Sequence, residues 1–514
     1  MRAPNLSVSP AARSPWLIAP LATLLACSGP QGSARVAPDS LHVRILATHD
    51  LHGAPYSAVY PWSNGRPVGG IAAVDAVMDT LQAACACPTL RLDGGDQMQG
   101  TLASNLTHGA AMVAALDHLR LDAAAVGNHE LDWGVDTLLA RQQAADYEWL
   151  AANVFNIADG ERPEWATPFT VIERKGIRVG VIGYSTVSTP RTLRAEATAA
   201  YEFRAGYAGL REALDEVRRQ APDFVVVVAH AAGNCGAASC AGETIDLANE
   251  LPPGSVDLIV GGHDHEPGGG VASSSPIVRA GSNGQGVGVV DLVRRSDGTR
   301  SHSLGRVPVF ADSLQIDPAM VDLLAPYLRM AGELGGVRVT TLAERLSSSA
   351  SGDRRLGSFI AEAARRQARA DFGLHNPGGV RIDLPDGPIT YADLHRVMPF
   401  DNTVVRLVIS GKQLRRLAEQ VGPRSYFANL VITYAPDTVA PRFGRAMLAF
   451  PEGRQVVDDE SYTLATNDFL ADGGDGLVLL TELARDHTGV TTLDAVGAQL
   501  RALPPPVTLP MPVR

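Results

Sequence analysis

Between Leu41 and Val309, short apolar runs alternate with stretches whose apolar residues recur every three or four positions. The runs LHVRILAT, TLRL, DAAAV, IRVGVIGY, DFVVVVA and VDLIV predict strands. The stretches IAAVDAVMDTLQAA, AAMVAALDHL and GLREALDEVRRQ predict amphipathic helices between them. Such alternation is the signature of an α/β fold. A helix is predicted near Pro318–Glu333. From Gly336 to Leu503 strands and helices mix less regularly, punctuated by the turn signals PGG, PDGP and DGGDG. The expected organisation is a first domain over 41–312, a linker helix over 313–335, a smaller α+β domain over 336–505 and a tail over 506–514. No internal repeat interrupts it.

Polar residues fall where those runs end. His49-Asp50-Leu51-His52-Gly53 follows the first run, Asp93-Gly94-Gly95-Asp96 the second, and Gly127-Asn128-His129-Glu130 the third. His230 follows DFVVVVA, and Gly261-Gly262-His263-Asp264-His265 follows VDLIV. Carboxyl ends of strands are where open α/β sheets place their sites. Carboxylate, imidazole and amide oxygen without thiolate form a donor set for hard to borderline divalent cations. Asp50-x-His52 puts both side chains on one side of extended backbone, and glycines beside Asp96 and His263 allow close backbone approach. Taken singly, each piece has a plainer reading. Asp-x-His occurs in surface turns, Asn128 could cap a helix with Glu130 in its first turn, and His230 could be a satisfied core histidine. Five such pieces at five strand ends favour the metal reading.

Composition sets the remaining limits. A chain of 514 residues exceeds one ordinary core, and 45% hydrophobic with 19% charged residues describes a globular protein. A net charge of -11 without a Lys/Arg-rich run argues against a nucleic-acid polymer as partner. Residues 1–26 carry Arg2 and Arg13, no acid, and an apolar stretch too short to span a bilayer, as a cleaved signal does. Leu24-Leu25-Ala26-Cys27 is similar to a bacterial lipobox, which makes Cys27 the expected lipidated residue and 27–40 a tether. The expected location is the cell envelope, periplasmic or anchored to the outer membrane, with that lipid as the sole membrane contact. Export makes the other cysteines candidate disulfides. Cys235 and Cys240 share one Gly/Ala-rich loop suited to a local bridge. A mutual bridge between Cys85 and Cys87 is expected to be strained, leaving reduced thiols or another pairing open.

THDLHG, GGDQMQG, GNHELDWG, VVAHAAG and GGHDHEP together resemble the ordered signature of calcineurin-like metallophosphatases, in particular the 5'-nucleotidase family. LHNPGGVRIDLPDGPITYADLHRVMPFDNTVV and TNDFLADGGDG resemble that family's carboxyl-terminal specificity domain. The resemblance implies a four-layer α/β/β/α catalytic domain followed by the α+β domain. It implies two divalent ions, zinc or manganese: one held by Asp50, His52, Asp96 and His265, the other by Asp96, Asn128, His230 and His263. His129, oriented by Asp132, is then the group that hydrogen-bonds the phosphate and leaving oxygen, while Glu130, Asp93, Asp264 and His49 have supporting roles. Phe400 and Phe469, core residues on sequence alone, become the rings that clamp a nucleobase. Asp475 accepts the ribose hydroxyls, Asn376 and Asn402 touch the base edge, and Arg381 forks onto phosphate.

Three departures stand out. Pro377 replaces a usual Gly beside Asn376. The family's upstream phosphate-binding arginine aligns with Ala350, leaving Arg354 or Arg355 as substitutes. Asp264 stands where Ser or Thr is commoner, adding negative charge near the ions. The implied activity is hydrolysis of a nucleotide 5'-phosphate, with closure of the two domains through the 318–333 helix. Alternatives on the same donors are a UDP-sugar or dinucleotide pyrophosphatase, a cyclic nucleotide phosphodiesterase and a thiosulfate-ester hydrolase, and outside catalysis a nucleotide-binding lipoprotein. Oligomeric state is not legible.

Overall fold

The computed structural model describes residues 40–235, 240–273, 275–350, 352–435 and 444–511. The signal segment, nearly all of the tether and the proposed lipid site Cys27 lie outside the described residues. Six strands pair in the order Arg300–Pro308, Gly286–Arg294, Leu41–Thr48, Thr89–Asp93, Ala123–Ala125 and Glu148–Leu150, the last four parallel. A second sheet of six runs Gly268–Ala272, Ser275–Arg279, Leu258–Gly261, Phe224–His230, Ile177–Ser185 and Phe169–Arg174.

Successive residues of a strand face opposite ways, and that alternation builds the layers. Val43, Ile45 and Ala47 meet Val226, Val228 and Val260 between the sheets. Leu46, Ala124 and Val126 turn outward to helices Ile71–Ala83 and Ala110–His118. On the far side, Val225, Val227 and Ile259 meet helices Gly206–Arg219 and Glu243–Glu250. The result is the expected α/β/β/α stack. Each fully buried aliphatic side chain contributes about 1.5–3 kcal/mol over its exposed state, so the sandwich is a rigid base for the loops at its edge.

The linker helix, Pro318–Gly335, starts with Asp317 accepting from the Ala319 amide at 3.0 Å and Pro318 in the first turn. Its Met320 and Leu324 are buried in the core of the first half. Beyond it, five strands pair in the order Tyr426–Ala428, Phe372–His375, Ser461–Asn467, Thr403–Ser410 and Arg485–Thr491. Helix Gly411–Val421, opened by a Ser410/Gln413 capping box, packs Leu414 and Leu417 against Phe372 and Leu407. Leu356 and Phe359 of helix Arg355–Ala368 share another core with Val496 and Leu500 of helix Thr492–Arg501. The tail belongs to that core: Val507 donates to the Thr341 carbonyl at 2.8 Å, and Val507 and Leu509 are buried.

The two halves share an interface within one compact unit, Leu41–Arg514. Gln99 Nε2 and Asn105 Nδ2 of the first half both donate to the Pro399 carbonyl of the second, at 2.5 and 2.9 Å. Cys85 and Cys87 form a disulfide with a Cα–Cα distance of 5.2 Å. That separation is within the ordinary range, because the chain turns at the end of helix Ile71–Ala83, so the two cysteines pair with each other rather than staying reduced. Cys240 is disulfide-bonded, and Cys235 is its register partner in a two-stranded ladder; the Cys235 side chain lies outside the described atoms. No helix among the described residues is long and apolar enough to cross a membrane.

Candidate metal centre and substrate cavity

Register brings the polar loops together. Thr48 pairs with Asp93 and Asp93 with Ala124 in one sheet, Ala229 with Gly261 in the other, so the loops that follow leave from one edge of the sandwich. Two groups result: Asp50, His52 and His265, and Asp96, His230 and His263. In the first, His52 Nε2 lies 2.9 Å from His265 Nε2, and each is 3.5 Å from Asp50 Oδ1. In the second, His230 Nε2 lies 3.1 Å from both Asp96 Oδ2 and Asn128 Oδ1 and 3.2 Å from His263 Nδ1. Asp96 Oδ2 also comes within 3.9 Å of His52 Nε2, so it stands between the groups.

The hydrogen bonds fix which atom each side chain offers. His52 Nδ1 and His230 Nδ1 donate to the carbonyls of Gln99 and Gly94, each at 2.9 Å, which leaves a lone pair on each Nε2, that of His52 beside His265 and that of His230 beside Asn128 and His263. The Gly281 amide donates to His49 Nε2 at 2.8 Å, so His49 Nδ1 donates to Asp50 Oδ2 at 2.5 Å. The His263 amide adds a second bond to Oδ2 at 2.7 Å. Asp50 Oδ1, by contrast, is buried with no hydrogen-bond partner. A buried carboxylate oxygen facing two imidazole lone pairs is costly unless a cation joins them. Ligand atoms of a tetrahedral ion with bonds of ~2.0–2.1 Å are roughly 3.3 Å apart, close to the spacings seen. The donors therefore fit one or two divalent cations.

The backbone at Asp50 and His52 is not extended, as the Asp-x-His spacing suggested, but left-handed. Asp50, His52, Asp96, His263 and His265 all have left-handed φ, between 48° and 79°. Such a conformation costs a non-glycine residue about 1 kcal/mol or more and persists where surroundings enforce it. Glu130 is one enforcer: its carboxylate accepts the amides of Asp96, Gln97 and Gly127 at 2.8–2.9 Å. Burial and the neighbouring Asp96 push it up to about 7. Asp93 holds the same loop, accepting from Thr48 Oγ1 and the Gly95 amide. Gly127 is required by closeness, since a Cβ there would meet Asp96 Oδ1 at 2.2 Å.

His129 is not one of the clustered donors. Its Nδ1 donates to Asp132 Oδ2 at 2.9 Å, and its amide donates to Asp96 Oδ1 at 2.9 Å. Burial opposes its cation, yet the Asp132 and Asp96 carboxylates push the imidazole up to about 9. The ring can thus present a proton on Nε2 to an oxygen beside the clusters.

A cavity of about 390 Å³ opens from the clusters into the second half. Asn376, Arg381, Phe400, Asn402, Phe469 and Asp475 all line it. Arg381 Nη2 lies 3.3 Å from His265 Nε2, at the cluster end. The Phe400 ring sits 6.0 Å from that of His129. Asn376 Nδ2 donates to Asp475 Oδ2 at 2.9 Å, so one of that amide's hydrogens is already engaged. Pro377 begins a tight turn, Pro377–Gly379, directly after Asn376.

Two expectations need correction. Neither Arg354 nor Arg355 reaches the cavity. Arg354 donates to the Ala350, Arg424 and Ser425 carbonyls, and Arg355 pairs with Asp353 and Glu344. Asp264 does not stand as an uncompensated charge, because it is ion-paired with Arg279. Sequence reasoning also missed Arg194, which lines the cavity from the first half with its Nη1 4.0 Å from Asp468. No strand-end or glycine signal marks that position.

Residues 335–482 match the 5'-nucleotidase C-terminal domain family. Residues 42–272 match the family described as bacterial capsule synthesis protein PGA_cap. A Vibrio cholerae 5'-nucleotidase is 27% identical, over 93% of this chain and 93% of its own. The crystal structure of a 5'-nucleotidase precursor from Thermus thermophilus superposes with a TM-score of 0.79 at 25% identity, covering 90% of this chain and 96% of that one. Over nearly its whole length the chain is thus similar to 5'-nucleotidases, and its second half matches their C-terminal domain. It is an enzyme of the metal-dependent phosphoric-ester hydrolase class. The sulfate thiohydrolase SoxB of Thermus thermophilus shares the fold, with a TM-score of 0.69 at 18% identity over 90% of this chain and 94% of that one.

Proposed function

We propose that the protein is an exported two-metal nucleotidase that removes the 5'-phosphate from nucleotides. One observation carries this reading: the cavity that contains Asp96, His129 and His263 continues without interruption to Phe400 and Phe469. Asp50, His52, Asp96 and His265 would hold one ion and Asp96, Asn128, His230 and His263 the other, zinc or manganese suiting these donors. When bound, such ions supply Lewis acidity toward phosphoryl oxygens and ionise water at neutral pH. Arg381 orients the phosphate beside His265. His129, held by Asp132, donates its Nε2 proton to the departing nucleoside oxygen. Phe400 and Phe469 hold the base, Asp475 the ribose, and Asn376 and Asn402 the base edge. These aromatic rings favour a nucleoside-bearing substrate over a thiosulfate ester. The leader-like residues 1–26 and Cys27 support export with a lipid anchor.

The test is phosphate release from AMP, ATP, UDP-glucose, cyclic AMP and bis-(p-nitrophenyl) phosphate, after chelation and with Zn²⁺ or Mn²⁺ restored. A 5'-mononucleotide turned over fastest, and only with metal, is the expected result. Equal rates on bis-(p-nitrophenyl) phosphate and AMP would remove the assignment of a nucleoside site.

A further inference from the structure

Asp264 occupies the one position between His263 and His265, residues that face different clusters. Both histidines are left-handed, with φ of 79° and 62°, so the loop reverses on either side of Asp264. The side chain of Asp264 reaches away from the donors. Its Oδ2 accepts the Gly233 amide at 3.2 Å, and its carboxylate pairs with Arg279. Arg279 ends strand Ser275–Arg279 and is 1% exposed. Its stem passes beneath Gly261, where an added Cβ would meet Cγ at 3.2 Å and Cδ at 3.3 Å. Its Nη1 donates to the Gly233 carbonyl at 2.5 Å. Gly233, Asp264 and Arg279 thus close a triangle behind the loop, from a strand other than the one that leads into it.

We infer that the Asp264–Arg279 pair is a positioning device that aims His263 and His265 at their respective ions, an inference that rests on the two-metal reading. The physical reason is that the buried guanidinium needs its anion and the half-buried carboxylate needs its tether. A buried guanidinium behind a cation site repels the cations unless an anion cancels it, and an unpaired Asp264, which borders the cavity, is free to swing onto an ion or to repel substrate phosphate. Removing Asp264 leaves a buried guanidinium unpaired, removing Arg279 leaves an untethered carboxylate at the cavity edge, and removing both leaves neither. Arg279 and Asp264 are fifteen positions apart in sequence, so the pairing is a property of the fold and not of the strand-end motif.

The experiment measures metal stoichiometry and affinity of the full chain by equilibrium dialysis against Zn²⁺ and Mn²⁺ with elemental analysis. Asp264→Asn and Arg279→Gln alone should each weaken metal affinity by roughly 10–100-fold, as loss of groups that orient ligands does. The double variant Asp264→Asn/Arg279→Gln should return to within about threefold of wild type, the signature of a coupled pair. A purely structural role would lower the melting temperature of the metal-free singles and leave their dissociation constants unchanged, which would overturn the inference. So would a double variant as weak as the two singles combined. If a single variant fails to fold, the double variant and the charge-retaining Arg279→Lys, expected to be intermediate, decide the matter. Wild-type protein that binds no ion would fail the two-metal reading itself; wild-type protein that binds two, with insensitive variants, would fail only this inference.

Discussion

The two ends of the cavity are built differently. At the metal end nearly every polar group has a second tie: Asp50 through His49 and the His263 amide, His52 through Gln99, His230 through Gly94, Asp96 through the His129 amide. Asp50, Asp96, Asn128 and His230 are buried. At the opposite end, which we assign to the nucleoside, Phe400, Asn402 and Phe469 are half-buried, Asp401, Asp475 and Arg194 are exposed, and ties are few. Chemistry that must aim at developing charge needs preorganised groups, while recognition of a flat base needs only faces to stack on. The same cavity therefore combines a fixed end with an adaptable one.

This contrast predicts graded responses. The strongest should come from Asp96→Ala, which removes the oxygen that stands between the clusters; turnover should fall more than about 10⁴-fold with loss of both ions by elemental analysis. Retained metal and activity would erase the fixed end. His129→Ala should lower kcat by about 10²–10⁴-fold while metal content and nucleotide binding by calorimetry persist, which also separates a hydrolase from a binding-only lipoprotein. Phe400→Ala and Phe469→Ala should each cost ~1–3 kcal/mol of base stacking, seen as a higher KM for AMP with hydrolysis of bis-(p-nitrophenyl) phosphate unchanged. Arg194→Ala, at the loosest point, should change KM only a few-fold, by about 0.2–1 kcal/mol. A control away from the cavity is Asp291. Burial raises its carboxyl, but hydrogen bonds from His42 and Arg44 outweigh burial and bring it down to about 2. Its folded-state pKa is depressed, so its stabilisation is present above the unfolded value near 4 and is lost as pH falls toward 2. Solvent screening limits that contribution to about 1 kcal/mol. Acid titration of the melting temperature should show wild type losing this increment and Asp291→Asn lacking it throughout.

The fixed end was also the legible one. A buried strand must be apolar, so Asp50, Asp96, Asn128, His230 and His263 stand out where such runs stop, and chain order alone places them on one edge. What the sequence hides is side-chain reach. Nothing in Glu130 announces bonds to two backbone amides 33 and 34 positions away and a third 3 away, nothing in Arg279 announces Asp264, and left-handed φ at Asp50 or His265 carries no glycine to betray it. Arg194 sits in a loop with no periodicity, and Arg354 and Arg355, better placed by linear position, are consumed by local partners. The interface of the second half was not legible, because Pro399 offers only a backbone carbonyl to Gln99 and Asn105.

Gly335, the last residue of the linker helix, touches both halves at once: an added Cβ would lie 3.0 Å from Ala392 Cβ and 3.1 Å from Leu102 Cδ2. Because Met320 and Leu324 moor that helix in the first half, side-chain bulk at its end would press on Leu102 of the first half and Ala392 of the second together. The absence of a side chain there is what lets the helix end serve as a close-fitting seam between them.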